Sequence, residues 1–118
     1  MSIQAMTTAW KESKQKGSPL LLLLALADNA GEDGFCWPGY EYLAEKIRMS
    51  TRSVSRLIEH LEQDKELFVI RKQGEHNWYV VRVGMTGEDV VASLKGRKMD
   101  TPDILSALQE QELSLIHI

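Results

Sequence analysis

Residues 43–62, LAEKIRMSTRSVSRLIEHLE, constrain the fold of this chain more than any other stretch. Apolar side chains recur in its second half at the spacing of one helical face: Val54, Leu57, Ile58 and Leu61. This spacing predicts a helix whose narrow apolar stripe packs against a core. Ser50 stands directly before that helix and can cap it, because a serine hydroxyl accepts a hydrogen bond from a free backbone N–H of the first turn. The stretch therefore predicts two helices joined by a tight turn.

The opposite face of the second predicted helix is polar. It carries the following side chains: Arg52, Arg56, Glu59 and Gln63, with Ser55 at its edge. The net charge of the whole chain is −3, which by itself argues against a nucleic-acid-binding protein. The charge is uneven, however, because residues 43–83 contain eight lysines and arginines against six acids, whereas residues 84–118 contain three against six. The negative charge thus lies mostly outside the two predicted helices.

An apolar helix is predicted before this pair. Ser18 and Pro19 suit its N-cap and its first helical position, and residues 20–27, LLLLLALA, are apolar on every face. This composition is typical of a helix that is buried on most sides. A dimer contact explains the same pattern equally well, because a small domain has difficulty covering a helix all round. The sequence leaves both explanations open.

Short β-prone runs accompany the helices. Residues 35–37 form one such run, and a helix is predicted after it, over residues 40–47. Two further β-prone runs, 67–72 and 78–83, flank a five-residue link that contains glycine, which is typical of a β-hairpin. The predicted order is helix, short strand, helix, helix and hairpin.

This order and its motifs resemble the winged helix-turn-helix domains common in phage and plasmid proteins, including replication initiators and small regulators. The resemblance covers residues 10–83 and rests on an early tryptophan, SPLLLLLALAD, an acidic loop with glycines, CWP, LAEKI, MSTRSVSRLIEHLE and the hairpin. It implies a mostly α fold with a small β-hairpin (α+β), in which a three-helix core carries a wing.

The resemblance also implies sequence-specific binding of double-stranded DNA in a phage or plasmid replication or transcription-regulatory protein. A recognition helix at about residues 51–63 is expected to enter the major groove with support from the wing, and its N-terminal residues come closest to the base edges. The residues expected to contact DNA are Tyr40, Arg48, Ser50, Thr51, Arg52, Ser53, Ser55, Arg56, Lys72 and His76. Arg52 is the first choice for reading a base, because a guanidinium can pair with guanine O6 and N7 together.

Two positions depart from the family pattern. Gly39 stands where such domains usually carry a serine that caps the second helix, and glycine is a weaker cap. Arg48 stands in the turn between the helices, where the family usually has a glycine because a positive φ is needed. We expect the backbone of Arg48 to be strained, or the turn to have another geometry, and its side chain to compensate by reaching a phosphate.

The alternative function is protein–protein docking by a winged helix that does not bind DNA, because such domains also dock proteins and the chain is acidic. No enzyme, cofactor or metal site is predicted, because no catalytic set, glycine-rich phosphate loop or ligand cluster stands out. Cys36 is the only cysteine and is expected to be a small core residue.

Double-stranded DNA is the expected partner, with a homodimer and other replication or transcription proteins as further candidates. The apolar run at residues 19–27 is too short for a membrane span, which needs about 20 residues. A cytoplasmic location is expected for that reason.

Three sections are expected along the chain: an N-terminal arm at 1–17, the winged domain at 18–84, and a linker with a C-terminal helical segment at 85–118. Trp10 in the arm is expected to pack on the domain. In the last section a short helix is predicted from Thr86 to Gly96, and another after Thr101. Residues 113–118, LSLIHI, resemble the translation of a transposon-end sequencing adaptor, so the protein is expected to continue beyond a truncated end.

Overall fold

A computed structural model of the chain describes residues 3–71, 74 and 76–96. The helices are α1 (Ile3–Glu12), α2 (Gly17–Asn29), α3 (Tyr40–Ile47), α4 (Thr51–Gln63) and α5 (Gly87–Gly96). The strands are β1 (Phe35–Cys36), β2 (Leu67–Ile70) and β3 (Trp78–Val81). The expected helix after Thr101, the adaptor-like residues 113–118 and Lys72 lie outside the described residues.

The helices α2, α3 and α4 pack against one another and form the main core. On α4 the stripe predicted from the sequence faces inward, with Val54, Ile58 and Leu61 buried and Leu57 partly buried. These side chains meet the buried leucines of α2 and the buried face of α3 in one cluster. The inward direction of the stripe on α4 is therefore confirmed, and the polar face of this helix points to solvent.

The strands form an antiparallel sheet in the order β1-β3-β2. The hairpin partners β2 and β3 pair from Leu67 with Val81 to Ile70 with Trp78, and β1 pairs Phe35 with Val80. The predicted hairpin is confirmed, and the short run after the loop becomes the third strand of the same sheet.

Alternate residues of each strand point to opposite sides of the sheet. The residues on both sides pack against other parts of the protein. On one face Leu67, Val69 and Tyr79 join the main core under α2 and α4. On the other face Phe68 and Val80 belong to a second apolar cluster. The helix α5 supplies Val90 and Leu94 to that cluster, which is why all four residues of β2 are buried.

The helix α5 begins with a reciprocal capping arrangement. The backbone N–H of Asp89 donates to Thr86 Oγ1 at 3.2 Å, and the backbone N–H of Thr86 donates to Asp89 Oδ2 at 2.9 Å. The helix predicted over this stretch is confirmed. It was expected in a linker, whereas its contacts place it against the second face of the sheet.

The N-terminal residues differ from the expected arm. They form α1, which packs on α2 through Ala5, Met6 and the fully buried Ala9. Trp10 lies outside this stripe of small residues and is 64% exposed. The expectation that Trp10 packs on the domain is therefore wrong. A second small correction concerns Ser18, which was expected at the N-cap. The helix α2 begins two residues earlier than expected, at Gly17, with Lys16 at its N-cap position and no side-chain cap.

A buried carboxylate joins the linker between α1 and α2 to the turn after α4. Glu66 is 6% exposed and accepts hydrogen bonds from Ser13 Oγ and from the backbone N–H of Lys14, the latter at 2.9 Å. Beside it Gln15 Nε2 donates to Asp64 Oδ2 at 2.7 Å. The C-terminal end of α4 is thus held by the linker, and its N-terminal end is left open to solvent.

These elements together form an α+β fold of the winged helix-turn-helix type, in which a three-helix core carries the β2–β3 wing. The fold class predicted from the sequence is confirmed.

Gly34 marks the closest approach between the acidic loop and the sheet. Its φ is 81°, and a Cβ atom at this position would lie 2.6 Å from the carbonyl oxygen of Val81. The two backbones are also hydrogen-bonded, with the Val81 N–H donating to Gly34 O at 2.8 Å. Glycine is needed here both for the positive φ and for the contact.

We expect the Gly34→Ala variant to lose free energy of unfolding, by about 1–3 kcal/mol from the backbone alone and further from the contact with Val81. Urea unfolding followed by tryptophan fluorescence measures this loss. Gly74→Ala is the matched control, because Gly74 also has a positive φ, 77°, but no atom lies within 4 Å of the position its Cβ would take. Equal losses in the two variants would show that the contact with Val81 relaxes without cost.

Candidate nucleic-acid interface

The N-terminal half of α4 presents five of the ten residues expected to contact DNA. Thr51, Arg52 and Arg56 are exposed, and Ser53 and Ser55 are half-buried beside them. The position of these residues follows from the burial of the opposite stripe, because residues on one helix face recur every three or four positions. The structure therefore gathers this group on one solvent-facing surface.

Ser50 caps α4, as predicted. Its Oγ accepts a hydrogen bond from the backbone N–H of Ser53 at 3.1 Å and donates to Ser53 Oγ at 3.0 Å. The Ser50 proton is therefore engaged within the protein. The hydroxyl proton of Ser53 is the one that remains for an outside acceptor, since each hydroxyl has a single proton to donate.

Arg48 ends α3 in the left-handed region, with φ 64° and ψ 42°. The surrounding hydrogen bonds run from the Met49 N–H to Ala44 O at 3.0 Å and from the Arg48 N–H to Glu45 O at 3.3 Å. This is a Schellman motif, in which the left-handed residue is usually glycine. The strained backbone expected at Arg48 is confirmed, and the conformation costs about 1–2 kcal/mol for a residue with a Cβ atom.

The three arginines of this surface have no side-chain partner among the described residues. Neither a hydrogen bond nor an ion pair within the described part of the chain engages Arg48, Arg52 or Arg56. On a helix face that is merely solvated, Arg56 would be expected to pair with Glu59 or Glu62, and neither pair is formed. Both oxygens of Glu62 instead accept from the Arg71 guanidinium, at 2.9 and 3.0 Å.

Tyr40 and His76 come together at the start of α3, beside the base of the wing. Both line one cavity of about 570 Å³, together with Pro38, Gly39, Glu41, Tyr42 and Asn77. Asn77 Nδ2 donates to the Tyr40 hydroxyl at 3.1 Å, so the Tyr40 proton remains available to an outside acceptor. The sequence analysis did not predict this role of Asn77 as a hydrogen-bond donor to Tyr40. Nothing in the sequence pattern relates the two residues, because they lie on separate elements.

The glycine at position 39 also finds its explanation in this cavity. Gly39 is the N-cap of α3, and no side chain caps this helix. A Cβ atom at Gly39 would lie 2.7 Å from Cε1 of His76. The imidazole therefore occupies the space that a capping serine side chain would need.

One potentially reactive side chain among the described residues is the Cys36 thiol. Cys36 is buried, and burial, with a smaller contribution from the charge of Asp33, raises the pKa of its thiol to about 12. Such a thiol is protonated at neutral pH and is a poor nucleophile. The described residues contain no group of three or more His, Cys, Asp or Glu side chains placed to hold a metal ion. Within the same residues no helix is long and apolar enough to cross a membrane.

Comparison with known proteins agrees with this geometry over part of the chain. Residues 16–65, from the start of α2 to the end of α4, match the model of a family described as a helix-turn-helix domain. The match supports a helix-turn-helix DNA-binding domain over this stretch, and domains of this kind are typically non-enzymatic. Neither a curated protein nor a solved structure matches the chain.

Replacing Arg48 tests the strain in the turn. We expect Arg48→Gly to relieve about 1–2 kcal/mol of left-handed strain. The greater freedom of glycine in the unfolded chain offsets about 0.4–1 kcal/mol of this gain. The variant should therefore be as stable as the parent or slightly more stable in urea unfolding. Arg48→Ala is the control, because alanine keeps the strain and removes only the guanidinium. An Arg48→Gly variant that is less stable than the Arg48→Ala variant would contradict the prediction.

Proposed function

We propose that α4 is a recognition helix, which enters the major groove of double-stranded DNA and reads its sequence. The observation that carries this proposal is the set of three exposed arginines on the turn and on α4, at positions 48, 52 and 56. None of them has a side-chain partner among the described residues. Two other described basic groups, Lys46 and Arg71, are paired with Asp28 and Glu62, whereas Lys11 on α1 is exposed like the three arginines.

Each arginine has a role that follows from its place. Arg52 lies in the first turn of α4, where side chains come closest to base edges, and it would pair with guanine O6 and N7. Arg56 lies one turn further on and would read a second base or bind a phosphate. Arg48 lies in the turn before α4, in the left-handed conformation, and its exposed guanidinium would bind a phosphate of the DNA backbone.

Hydroxyl groups would hold the DNA backbone beside the arginines. Ser53 and Thr51 have a proton to donate at the N-terminal end of α4, where the helix dipole also favours an anion. Ser50 supports them as the cap. Ser55 faces the same groove at the edge of the surface.

The wing side would provide a second contact with the backbone. The Tyr40 hydroxyl and His76 line one cavity, and we include Lys72 of the same hairpin in this group as a sequence-based expectation. Glu41 lines the cavity as well, and its carboxylate repels phosphate. The Tyr40 and His76 contacts must therefore outweigh one opposing charge, and salt dependence on this side would come mainly from Lys72.

The wider setting belongs to the same proposal. The chain would act in a phage or plasmid replication or transcription-regulatory protein in the cytoplasm, together with other proteins of that process. A symmetric DNA site would require a homodimer, with half-sites about one helical turn apart.

Substitution of the arginines tests the proposal on the duplex that the protein selects from a random-sequence pool. We expect Arg52→Ala to weaken binding by about 5- to 150-fold and to relax specificity at one base pair, as loss of a bidentate contact worth about 1–3 kcal/mol requires. If Arg56 binds a phosphate, Arg56→Ala should weaken binding to all sequences and lower the salt slope by about 0.9.

Lys11→Ala is the matched control, because it removes one exposed positive charge from α1, on a different element from the proposed interface. Fluorescence anisotropy at several salt concentrations gives both affinity and slope. Affinity that is independent of salt, with no sequence selected from the pool, would overturn DNA binding and favour docking to a protein.

A further inference from the structure

An aromatic surface lies on the sheet beside the wing, beyond the part that α5 covers. Trp37 directly follows β1 and is 55% exposed, and Trp78, at the start of β3, is half-buried. Phe35 is buried beneath them, with its ring centroid 5.6 Å from the rings of both tryptophans. The rings are tilted against Phe35 by 53° and 68°, within the edge-to-face geometry that aromatic pairs prefer. Two large rings are thus held in place while one of them stays open to solvent.

These two tryptophans line a cavity of about 580 Å³ together with Gly74 and His76. The volume lies within the range of about 300–1,000 Å³ that is usual for sites of small organic groups. The walls combine two aromatic rings with one group that can donate or accept a hydrogen bond, the His76 imidazole. A flat ligand with a π-face and polar edges suits such walls better than an aliphatic chain does.

The cavity adjoins the surface that we propose for DNA. His76 lines both this cavity and the neighbouring one at the start of α3, where Tyr40 is placed to meet the DNA backbone. His76 therefore lies between the two cavities, and a DNA strand that passes Tyr40 would reach the aromatic cavity next. The described lining residues offer two aromatic faces, and an aromatic face stacks on a nucleobase.

We propose that Trp37 and Trp78 form a stacking site for an unpaired nucleobase of single-stranded DNA, next to the duplex-binding surface. The inference rests on the proposed function, because the duplex contacts bring the strand to the cavity. Stacking on an aromatic side chain accepts any base, since every base has a π-face. The protein would then bind a junction between duplex and single strand more tightly than a continuous duplex.

The experiment compares four probes: a blunt duplex of the selected sequence, the same duplex with a short thymidine extension at either end in turn, and the extension alone. For the parent protein we expect the extension at one end to tighten binding by about 5- to 150-fold, the value of one stacked base. Trp37→Ala should remove this gain and leave the affinity for the blunt duplex unchanged. Trp37→Phe should retain part of the gain, which separates stacking from a loss of fold.

Trp10→Ala is the matched control, because Trp10 is also an exposed tryptophan but lies on α1. It should bind all probes as the parent does. A 2-aminopurine in the extension should lose fluorescence on binding to the parent and keep it with Trp37→Ala, as stacking requires.

The outcomes separate the two proposals. A parent protein that binds the blunt duplex but gains nothing from either extension overturns the stacking site and leaves the recognition helix intact. If Trp37→Ala lowers the affinity for every probe by the same factor, the stacking site is overturned as well. A parent that fails to bind the blunt duplex contradicts the recognition helix, whereas Trp37-dependent binding of the extension alone would still support the stacking site.

Discussion

Burial of one stripe of α4 is the interaction on which the rest of the structure depends. Val54, Ile58 and Leu61 are fully buried in the core that α2 and α3 share. Because a helix can turn only one face inward, this burial sets the rotation of α4 and sends Arg52 and Arg56 to solvent. The apolar core and the candidate interface are therefore two faces of one helix.

Two further constraints hold α4 from its ends. At the N-terminal end the Schellman motif at Arg48 and the Ser50 cap define the path of the turn. At the C-terminal end Glu66 and Asp64 accept hydrogen bonds from the linker between α1 and α2. Arg71 adds a link from the end of β2 to Glu62. None of these bonds uses the guanidinium of Arg52 or Arg56.

The sheet has a different role, because it is covered on both sides. Phe68 and Val80 pack under α5, whereas the strand end near Trp78 extends toward Trp37 and the cavity beside the wing. The same structural element therefore closes a second core and supports an aromatic surface next to the proposed DNA path. The acidic section after residue 83 contributes to the fold through Val90 and Leu94 of α5, which belong to the second apolar cluster.

The sequence by itself determined the features that depend on interactions between residues close together in the chain. The stripe of α4, the Ser50 cap and the hairpin each follow from spacing or from one residue's conformational preference, whereas the positive φ at Arg48 goes against the preference of arginine and was expected only from the resemblance to the family. The face that carries Arg52 follows from the same spacing. Tertiary structure decided what depends on contacts between distant residues, because no periodicity encodes them. Such contacts placed α1 and α5 on the fold, and the way α1 packs leaves Trp10 exposed. They also buried Glu66 under Ser13 and brought His76 against Gly39. They also joined Trp37 to Trp78 through Phe35, a pairing fixed only by the register of β1 on β3.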